Sequence, residues 1–267
     1  MKRKFIALFL LLFLSCSSSD TSPDGGTTGF DKPTTFFSTM TSLTVDVAYE
    51  PDAVPYTGNL AGAQSSRKLW DITQDNLDAL FLNRNPAVTV NAPEELSEMQ
   101  AIPDQSKTSF TSDEILTIAG QYRRGKSTST DVNCFIVFLN GYFSENGAAN
   151  ENVIGVSLSG TTVLAIFKPV VESTQTGPLT ITPKYVEQST IVHEVGHALG
   201  LVNNGIPMHT AHQDDAHGKH CNNDQCLMYY LNEGKTDLIQ FVTQAFQTGS
   251  LVIFDQNCLD DARNYKP

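Results

Sequence analysis

The chain has 267 residues, of which 40% are hydrophobic, and this is enough for a sizeable core in one domain. Its formal net charge of -12 at pH 7 argues against nucleic acid as a partner and against direct adhesion to anionic lipid. We therefore expect a soluble, acidic, monomeric body.

The first residues predict export. Basic residues at positions 2–4 precede an apolar run, 5–14, that is too short to span a bilayer. We interpret residues 1–15 as a signal peptide. The following Cys16 and its serine-rich sequel resemble the lipidation site of bacterial lipoproteins, which implies a lipid on Cys16. The protein would then lie in the cell envelope, outside the cytoplasm, and touch the membrane only through this lipid. The alternative is an ordinary secretory signal with an incidental cysteine.

Composition divides the rest of the chain into two parts. Residues 16–35 are rich in Ser, Thr, Gly and Pro and have little to bury, so they predict a flexible tether. Residues 36–267 contain the periodic apolar patterns and predict one folded domain.

The apolar patterns in that domain predict alternating strands and helices. Residues 132–139 are almost continuously apolar, as in a central strand covered on both faces. Ser112 is the predicted N-cap of the helix at 113–122. In chain order we expect a strand at 42–49, a helix at 69–81, strands at 87–90, a helix at 113–122, strands at 132–139, 153–158 and 162–167, a long helix from about 182 to 200, and a helix at 236–246. This order predicts an α/β fold, in which a mixed, twisted sheet packs on the long helix and a helical segment closes the chain.

The long helix carries His193, Glu194 and His197 in the pattern H-E-x-x-H. Residues four apart on a helix differ by about 40° around its axis, so both imidazoles can bind one metal ion. Glu194 points about 100° away, where a general base for a metal-bound water would stand. All six histidines of the chain lie between positions 193 and 220, which favours a zinc ion (Zn2+) as the cofactor.

The motif extends to His-Glu-x-x-His-x-x-Gly through Gly200, and in this form it resembles the metzincin metallopeptidases. The resemblance implies a metzincin-like single domain in which the glycine ends the helix and a third ligand returns to the metal. The position three after the glycine is usually His or Asp in that family, but here it is Asn203. An amide is a poor zinc ligand.

A second segment resembles the archaemetzincins. Residues 220–228 match the pattern H-C-x-x-x-x-C-x-M, with His220 first and Met228 last. The resemblance implies that His220 is the third zinc ligand, that Met228 is the methionine of the Met-turn, and that Tyr230 supports the oxyanion. His212 is the main rival as third ligand, because Asp214 and Asp215 follow it closely, and the remaining alternatives are His209, His217 and Asn203.

Four cysteines remain after Cys16, at positions 134, 221, 226 and 258, and four cysteines allow three pairings. In an oxidising compartment we expect Cys221 bonded to Cys226, which would brace the loop after the metal helix, and Cys134 bonded to Cys258. The archaemetzincins have a later Cys-x-x-Cys that completes a second zinc site, whereas only Cys258 follows here. Zinc-protected thiols at 221 and 226 are the alternative.

We therefore predict an exported, lipid-anchored zinc endopeptidase with one bound zinc, which cleaves a peptide or protein substrate with Glu194 as general base. The strand at 153–158 is either the sheet edge to which an extended peptide adds or an ordinary interior strand. A zinc amidase would differ only in its substrate. The alternative of a different class is a surface-binding lipoprotein that keeps the metal without turnover.

Overall fold

The computed structural model describes residues 23–175, 181–246 and 250–267. The predicted signal peptide and Cys16 lie outside these residues and stay predictions. Within the described ranges, no helix is long and apolar enough to cross a membrane.

Short strands and helices alternate along the chain. The strands are β1 (Ser42–Tyr49), β2 (Thr89–Asn91), β3 (Gln100–Ala101), β4 (Ser109–Phe110), β5 (Asp131–Leu139), β6 (Tyr142–Glu145), β7 (Ala148–Asn150), β8 (Gly155–Ser157) and β9 (Val163–Phe167). The helices are α1 (Pro33–Phe36), α2 (Asp71–Leu80), α3 (Ser112–Tyr122), α4 (Lys168–Glu172), α5 (Ile181–Leu199), α6 (Lys235–Ala245) and α7 (Gln256–Asn264). Short 3-10 helices lie at Gly62–Gln64, Leu96–Glu98 and Tyr230–Glu233.

The main sheet is mixed and has the order β2-β1-β5-β9-β8, with β3 also pairing with β1. Its strands run parallel except β8, which is antiparallel to β9 and lies at the end of the order. Every residue of β5 after Asp131 is buried, so the predicted central strand is confirmed. A second, three-stranded sheet has the order β4-β6-β7.

Helices cover both faces of the main sheet. The side chains of Val163 and of Leu116 in α3 meet next to Gly25. The side chains of Ile166 and of Thr190 in α5 meet next to Gly155. Side chains three apart on a strand point to opposite faces. The buried apolar residues form one continuous core, and α5 packs on β8, β9, α2, α4 and α6. The predicted α/β class, with a mixed sheet on the long helix and a closing helix at 236–246, which is α6, is confirmed. Helix α7 was not predicted.

The N-cap of α3 corrects one prediction. The side chain of Thr111, not of Ser112, accepts the N–H of Glu114, and the Glu114 carboxylate accepts the N–H of Thr111 in return. Threonine and serine both cap well, so the sequence alone does not choose between adjacent candidates. Sequence patterns also missed the shortest elements, among them α1, α4 and the three strands of the small sheet, because two to five residues carry too little periodicity.

The folded part begins before residue 36, which corrects the predicted extent of the flexible tether. Asp31 is buried and forms an ion pair of 3.2 Å with Arg123. Ser127 and Thr162 donate hydrogen bonds of 2.6 and 2.7 Å to the same carboxylate. These partners compensate the cost of burying the Asp31 carboxylate. The same contacts attach the segment around Asp31 to the domain.

Candidate metal centre and active-site cleft

Helix α5 and the loop after it bring three imidazoles together. The Nε2 atom of His197 lies 3.1 Å from that of His193 and 3.2 Å from that of His220. His193 and His197 are one helical turn apart, and His220 approaches from the loop that follows the helix. The Nε2 atoms of the three predicted ligands, His193, His197 and His220, therefore converge on one point.

The other ring nitrogens of two of these histidines are already engaged. Nδ1 of His193 donates to the Leu227 carbonyl over 2.9 Å, and Nδ1 of His220 donates to the His217 carbonyl over 2.7 Å. With its proton on Nδ1, a neutral ring leaves Nε2 free as an acceptor, and metal-binding histidines are typically oriented in this way. Burial, together with the neighbouring His193 and His220, holds the pKa of His197 well below its usual value of 6.5, so the His197 ring is neutral at pH 7.

The arrangement fits a zinc ion. In a tetrahedral site with Zn–N bonds of about 2.0–2.1 Å, neighbouring nitrogens are about 3.3 Å apart, close to the observed spacing. His193, His197, His220 and the carboxylate of Glu233 all place a ligand atom within 4.8 Å of one another. Zinc is a metal that imidazole donors in this geometry suit.

Met228 forms the floor below the imidazoles. It is fully buried against Gly196 of α5, and its carbonyl accepts the N–H of Cys221 over 2.7 Å. At the end of α5, Gly200 adopts a φ of +93°, and a Cβ there would lie 2.9 Å from Pro33. Glycine thus allows the sharp exit that starts the returning loop.

Glu194 lies beside the imidazoles on the wall of a cleft and is 5% exposed. Burial raises its pKa to about 7, an effect that His193 opposes and Glu233 reinforces, and the backbone N–H of Ser157 donates to its carboxylate. A Cβ on Gly155 would lie 2.6 Å from Thr190 and 3.2 Å from the Glu194 side chain. A glycine at 155 therefore lets β8 approach the face of α5 that carries Glu194.

Glu233 completes the group, and the sequence did not predict it. Its Oε1 atom lies 2.9 Å from Nε2 of His220 and 3.9 Å from the same atom of His193 and of His197. Burial alone would raise the pKa of Glu233, but the neighbouring His193 and the hydrogen bond with His220 lower it. Burial would likewise lower the pKa of His220, and the hydrogen bond to Glu233 raises it. No local spacing marks this residue, because a 3-10 turn sets its position.

The remaining predicted candidates lie away from the three nitrogens. Tyr230 stacks its ring on His217, with 3.5 Å between centroids, and its role at an oxyanion stays a prediction. The amide of Asn203 donates to Gln213 over 3.2 Å. The backbone N–H of His209 donates to Asp261 over 2.6 Å.

His212 belongs to a second group of potential ligands, with Cys221, Asp255 and Cys258. Its Nδ1 lies 3.2 Å from the sulfur of Cys221, and its Nε2 lies 2.8 Å from a carboxylate oxygen of Asp261. Cys226 adjoins this Cys221 cluster, with 3.5 Å between its sulfur and that of Cys258. Burial would lower the pKa of His212, but its hydrogen bonds raise it to about 10, and hydrogen bonds from Cys226 and Cys258 lower the pKa of Cys221.

This cluster corrects the disulfide prediction. Cys134, Cys221, Cys226 and Cys258 are free thiols, and Cys258 lies against Cys226 instead of Cys134. Cys134 is buried in the central strand β5. Helix α7 brings Cys258 to the loop that carries Cys226. Because the two cysteines are far apart in sequence, local spacing does not indicate this contact. A soft sulfur and imidazole donor set with an orienting carboxylate fits zinc.

The cleft in front of Glu194 has a volume of about 690 Å³. The cleft is lined by Glu194, His197, His220 and Glu233 and by residues 155–161. On either side of β8, the N–H of Leu158 donates to β9 and the carbonyl of Ile154 accepts from β9. In an antiparallel pair the bonded residues alternate, so the backbone groups of Gly155 and Ser157 point away from β9. The strand at 153–158 is thus an edge strand of the described sheet and faces the cleft.

No protein-family model and no curated protein matches the sequence. Among solved structures, the fold is similar to an archaemetzincin from Methanopyrus kandleri, which is 13% identical, with a TM-score of 0.43 over 84% of this chain and 94% of that chain. It is also similar to a zinc-dependent peptidase from Methanocorpusculum labreanum, which is 13% identical, with a TM-score of 0.45 over 82% of this chain and 99% of that chain. Any assignment of chemistry to this chain therefore rests on its own side chains.

Proposed function

We propose that the protein is a zinc-dependent peptidase that hydrolyses internal peptide bonds. The observation that carries the proposal is the convergence of His193, His197 and His220 at spacings of 3.1 and 3.2 Å, with buried Glu194 beside them on the cleft wall. Three converging imidazoles and a neighbouring carboxylate are the parts that metal-assisted hydrolysis needs.

A zinc ion held by the three imidazoles would lower the pKa of a bound water and polarise the scissile carbonyl. Glu194 accepts the proton of the attacking water, and it then delivers that proton to the leaving amine nitrogen. The hydrogen bond from Ser157 and the packing of Gly155 fix the carboxylate in place.

The substrate would bind as an extended strand along β8. The backbone groups of Gly155 and the carbonyl of Ser157 point away from β9 and can form a ladder with a peptide, whereas the N–H of Ser157 donates to Glu194. Binding of this kind accommodates residues on both sides of the scissile bond, which favours an endopeptidase.

Substitution of Glu194 tests this function. Glu194→Gln should lose hydrolysis of a peptide library by about a hundredfold or more and keep its zinc, because Glu194 is the base and not a ligand. Glu94→Gln changes an exposed glutamate to the same amide and serves as the matched control. Equal hydrolysis by the Glu194 variant would contradict the mechanism.

Glu233 favours a second candidate function. A carboxylate fixed against the three imidazoles could close the site and leave a zinc-containing surface-binding protein without turnover. Metal-loaded protein that binds zinc at the histidines and cleaves no peptide of a broad library would favour this function.

We also propose that the Cys221 cluster binds a structural zinc. Cys221, Cys226, Cys258 and His212 offer the four donors that a tetrahedral structural zinc needs, and Cys258 and Asp261 of α7 contact the loop at this point. The ion would fix the loop that carries His220.

The cellular location follows from the N-terminal pattern. We propose export and a lipid on Cys16, with the body held outside the cytoplasm. Cys16→Ser should move the protein from membrane to soluble fractions, because the substitution removes the atom that would carry the lipid. A wild-type protein found wholly in soluble fractions would contradict lipidation.

A further inference from the structure

Glu233 lies where a fourth metal ligand would lie. Its Oε1 atom is 2.9, 3.9 and 3.9 Å from the Nε2 atoms of His220, His193 and His197. Donor atoms in a tetrahedral zinc site are about 3.3 Å apart, so these separations scatter around the required value. The four atoms enclose a space that one zinc ion can fill.

The backbone of Glu233 is held, while its side chain is accessible. Asn232 is buried and donates to the carbonyls of Cys226 and Leu227, both over 3.1 Å, and Gly234 forms a bridge with Val153. The Glu233 side chain nevertheless remains 54% exposed, whereas His193, His197 and His220 are 2, 12 and 10% exposed. Of the four donors, Glu233 is the one that can leave without unpacking the domain.

The same contact has another interpretation. Nδ1 of His220 already donates to the His217 carbonyl, so a hydrogen bond from Nε2 to Glu233 requires a protonated ring. In that case Glu233 pairs with His220 only in metal-free protein and competes with the metal for it. The two interpretations predict opposite effects on metal affinity when the carboxylate is removed.

We propose that Glu233 is a fourth, displaceable zinc ligand that closes the site at rest and withdraws when a peptide occupies the cleft. The displacement rests on the proposed peptidase function. Glu233 and Glu194 line the same cleft, so a peptide that reaches Glu194 meets the Glu233 carboxylate. The exposed carboxylate explains how a site with four protein donors can still admit substrate.

Metal affinity tests the ligand role. Cobalt(II) is the probe, because the thiolates of the Cys221 cluster add a sulfur-to-metal absorption band that imidazoles and carboxylates lack. Glu233→Gln should weaken cobalt at the histidine site by about ten- to a hundredfold in competition with a chelator. Glu145→Gln removes another carboxylate from the cleft wall and should leave the affinity unchanged. Unchanged or tighter binding in Glu233→Gln overturns the proposal.

A second variant separates ligation from charge. Glu233→Asp keeps the negative charge in the cleft but shortens the side chain by one methylene. Ligation predicts a loss of cobalt affinity and a changed visible spectrum, whereas an effect of charge alone predicts values near those of the wild type. The second result overturns ligation even if Glu233→Gln binds weakly.

Binding of acetohydroxamate tests displacement. An incoming ligand must replace Glu233 in the wild type, so the Glu233→Gln cobalt protein should bind acetohydroxamate about tenfold or more tightly. Equal affinity in the two proteins overturns displacement. None of these readouts needs turnover. Thus a wild type that cleaves no peptide contradicts the peptidase alone, and intact metal binding in Glu233→Gln contradicts the fourth ligand alone.

Discussion

The sulfur of Met228 packs so closely on Gly196 that a Cβ added to the glycine would lie 2.6 Å from it. Gly196 stands between His193 and His197 on α5, one residue before the second of them. The contact therefore joins the floor of the site to the helix that supplies two ligands, and an alanine at 196 would push the floor away.

We expect Gly196→Ala to destabilise the protein by about 1–3 kcal/mol, because the clash outweighs the helix propensity gained. The displaced Met228 turn would also shift the Leu227 carbonyl that orients His193, so zinc affinity should fall. Urea unfolding and chelator competition measure the two effects. The double variant Gly196→Ala/Met228→Ala should lose less than the sum of the single variants. Additive losses of stability would show that the contact between residues 196 and 228 does not cause the destabilisation.

Two alanine substitutions test the division of metal sites. The wild type should bind two zinc ions, which revises the one zinc predicted from the sequence. His220→Ala should lose the ion of the histidine site and hydrolysis with it, and His212→Ala should lose the ion of the Cys221 cluster. Metal analysis and the sulfur-to-cobalt band distinguish the sites. The assignment is wrong if His212→Ala abolishes histidine-site binding while His220→Ala keeps full zinc and activity.

The stability of metal-free protein should depend on pH through Glu194, whose pKa is raised to about 7 by burial. An unfolded glutamate titrates near about 4.3, so the folded state binds more protons between these values and its stability falls as pH rises through this window. Relative to Glu194→Gln, the wild type should lose on the order of 2–3 kcal/mol between pH 5 and 8. The comparison cancels the titration of the histidines to first order. Parallel pH profiles from urea unfolding would contradict it.

The ion pair of Asp31 with Arg123 should carry much of the attachment of the N-terminal segment. Both side chains are buried, at 0 and 2% exposure. Asp31→Ala would leave the guanidinium buried without its charge partner, so we expect a loss of about 3–5 kcal/mol in urea unfolding. Asp24→Ala removes an exposed carboxylate from the same segment and should cost about 1 kcal/mol or less. Similar small losses in both variants would show that the segment is held by other contacts.

Elements with a clear apolar period were predictable from the sequence. The strand at 42–49 has the predicted bounds, and the long helix carries His193, Glu194 and His197 at a spacing that the helix alone determines. In these cases the relevant contacts lie within one element, so local spacing is sufficient information.

The rest of the site depends on contacts between distant parts of the chain. Glu233 reaches the imidazoles through a 3-10 turn, and Cys258 reaches Cys226 because α7 packs back on the loop. Pairing by proximity in sequence therefore favoured a Cys221–Cys226 disulfide, whereas the fold surrounds Cys221 with a histidine, an aspartate and two further thiols. Only the resemblance to the H-C-x-x-x-x-C-x-M segment indicated His220.

The free edge of β8 has a consequence for which proteins could be cut. The backbone of Gly155 and the carbonyl of Ser157 can pair with a substrate, and backbone atoms distinguish the conformation of a segment more than its sequence. Helices and paired strands have no backbone groups to spare, so a folded protein would have to open locally before it entered the cleft. Its rate of cleavage would then follow the population of the opened form, and unstable or damaged proteins would be cut ahead of stable ones with the same sequence at the cleavage point.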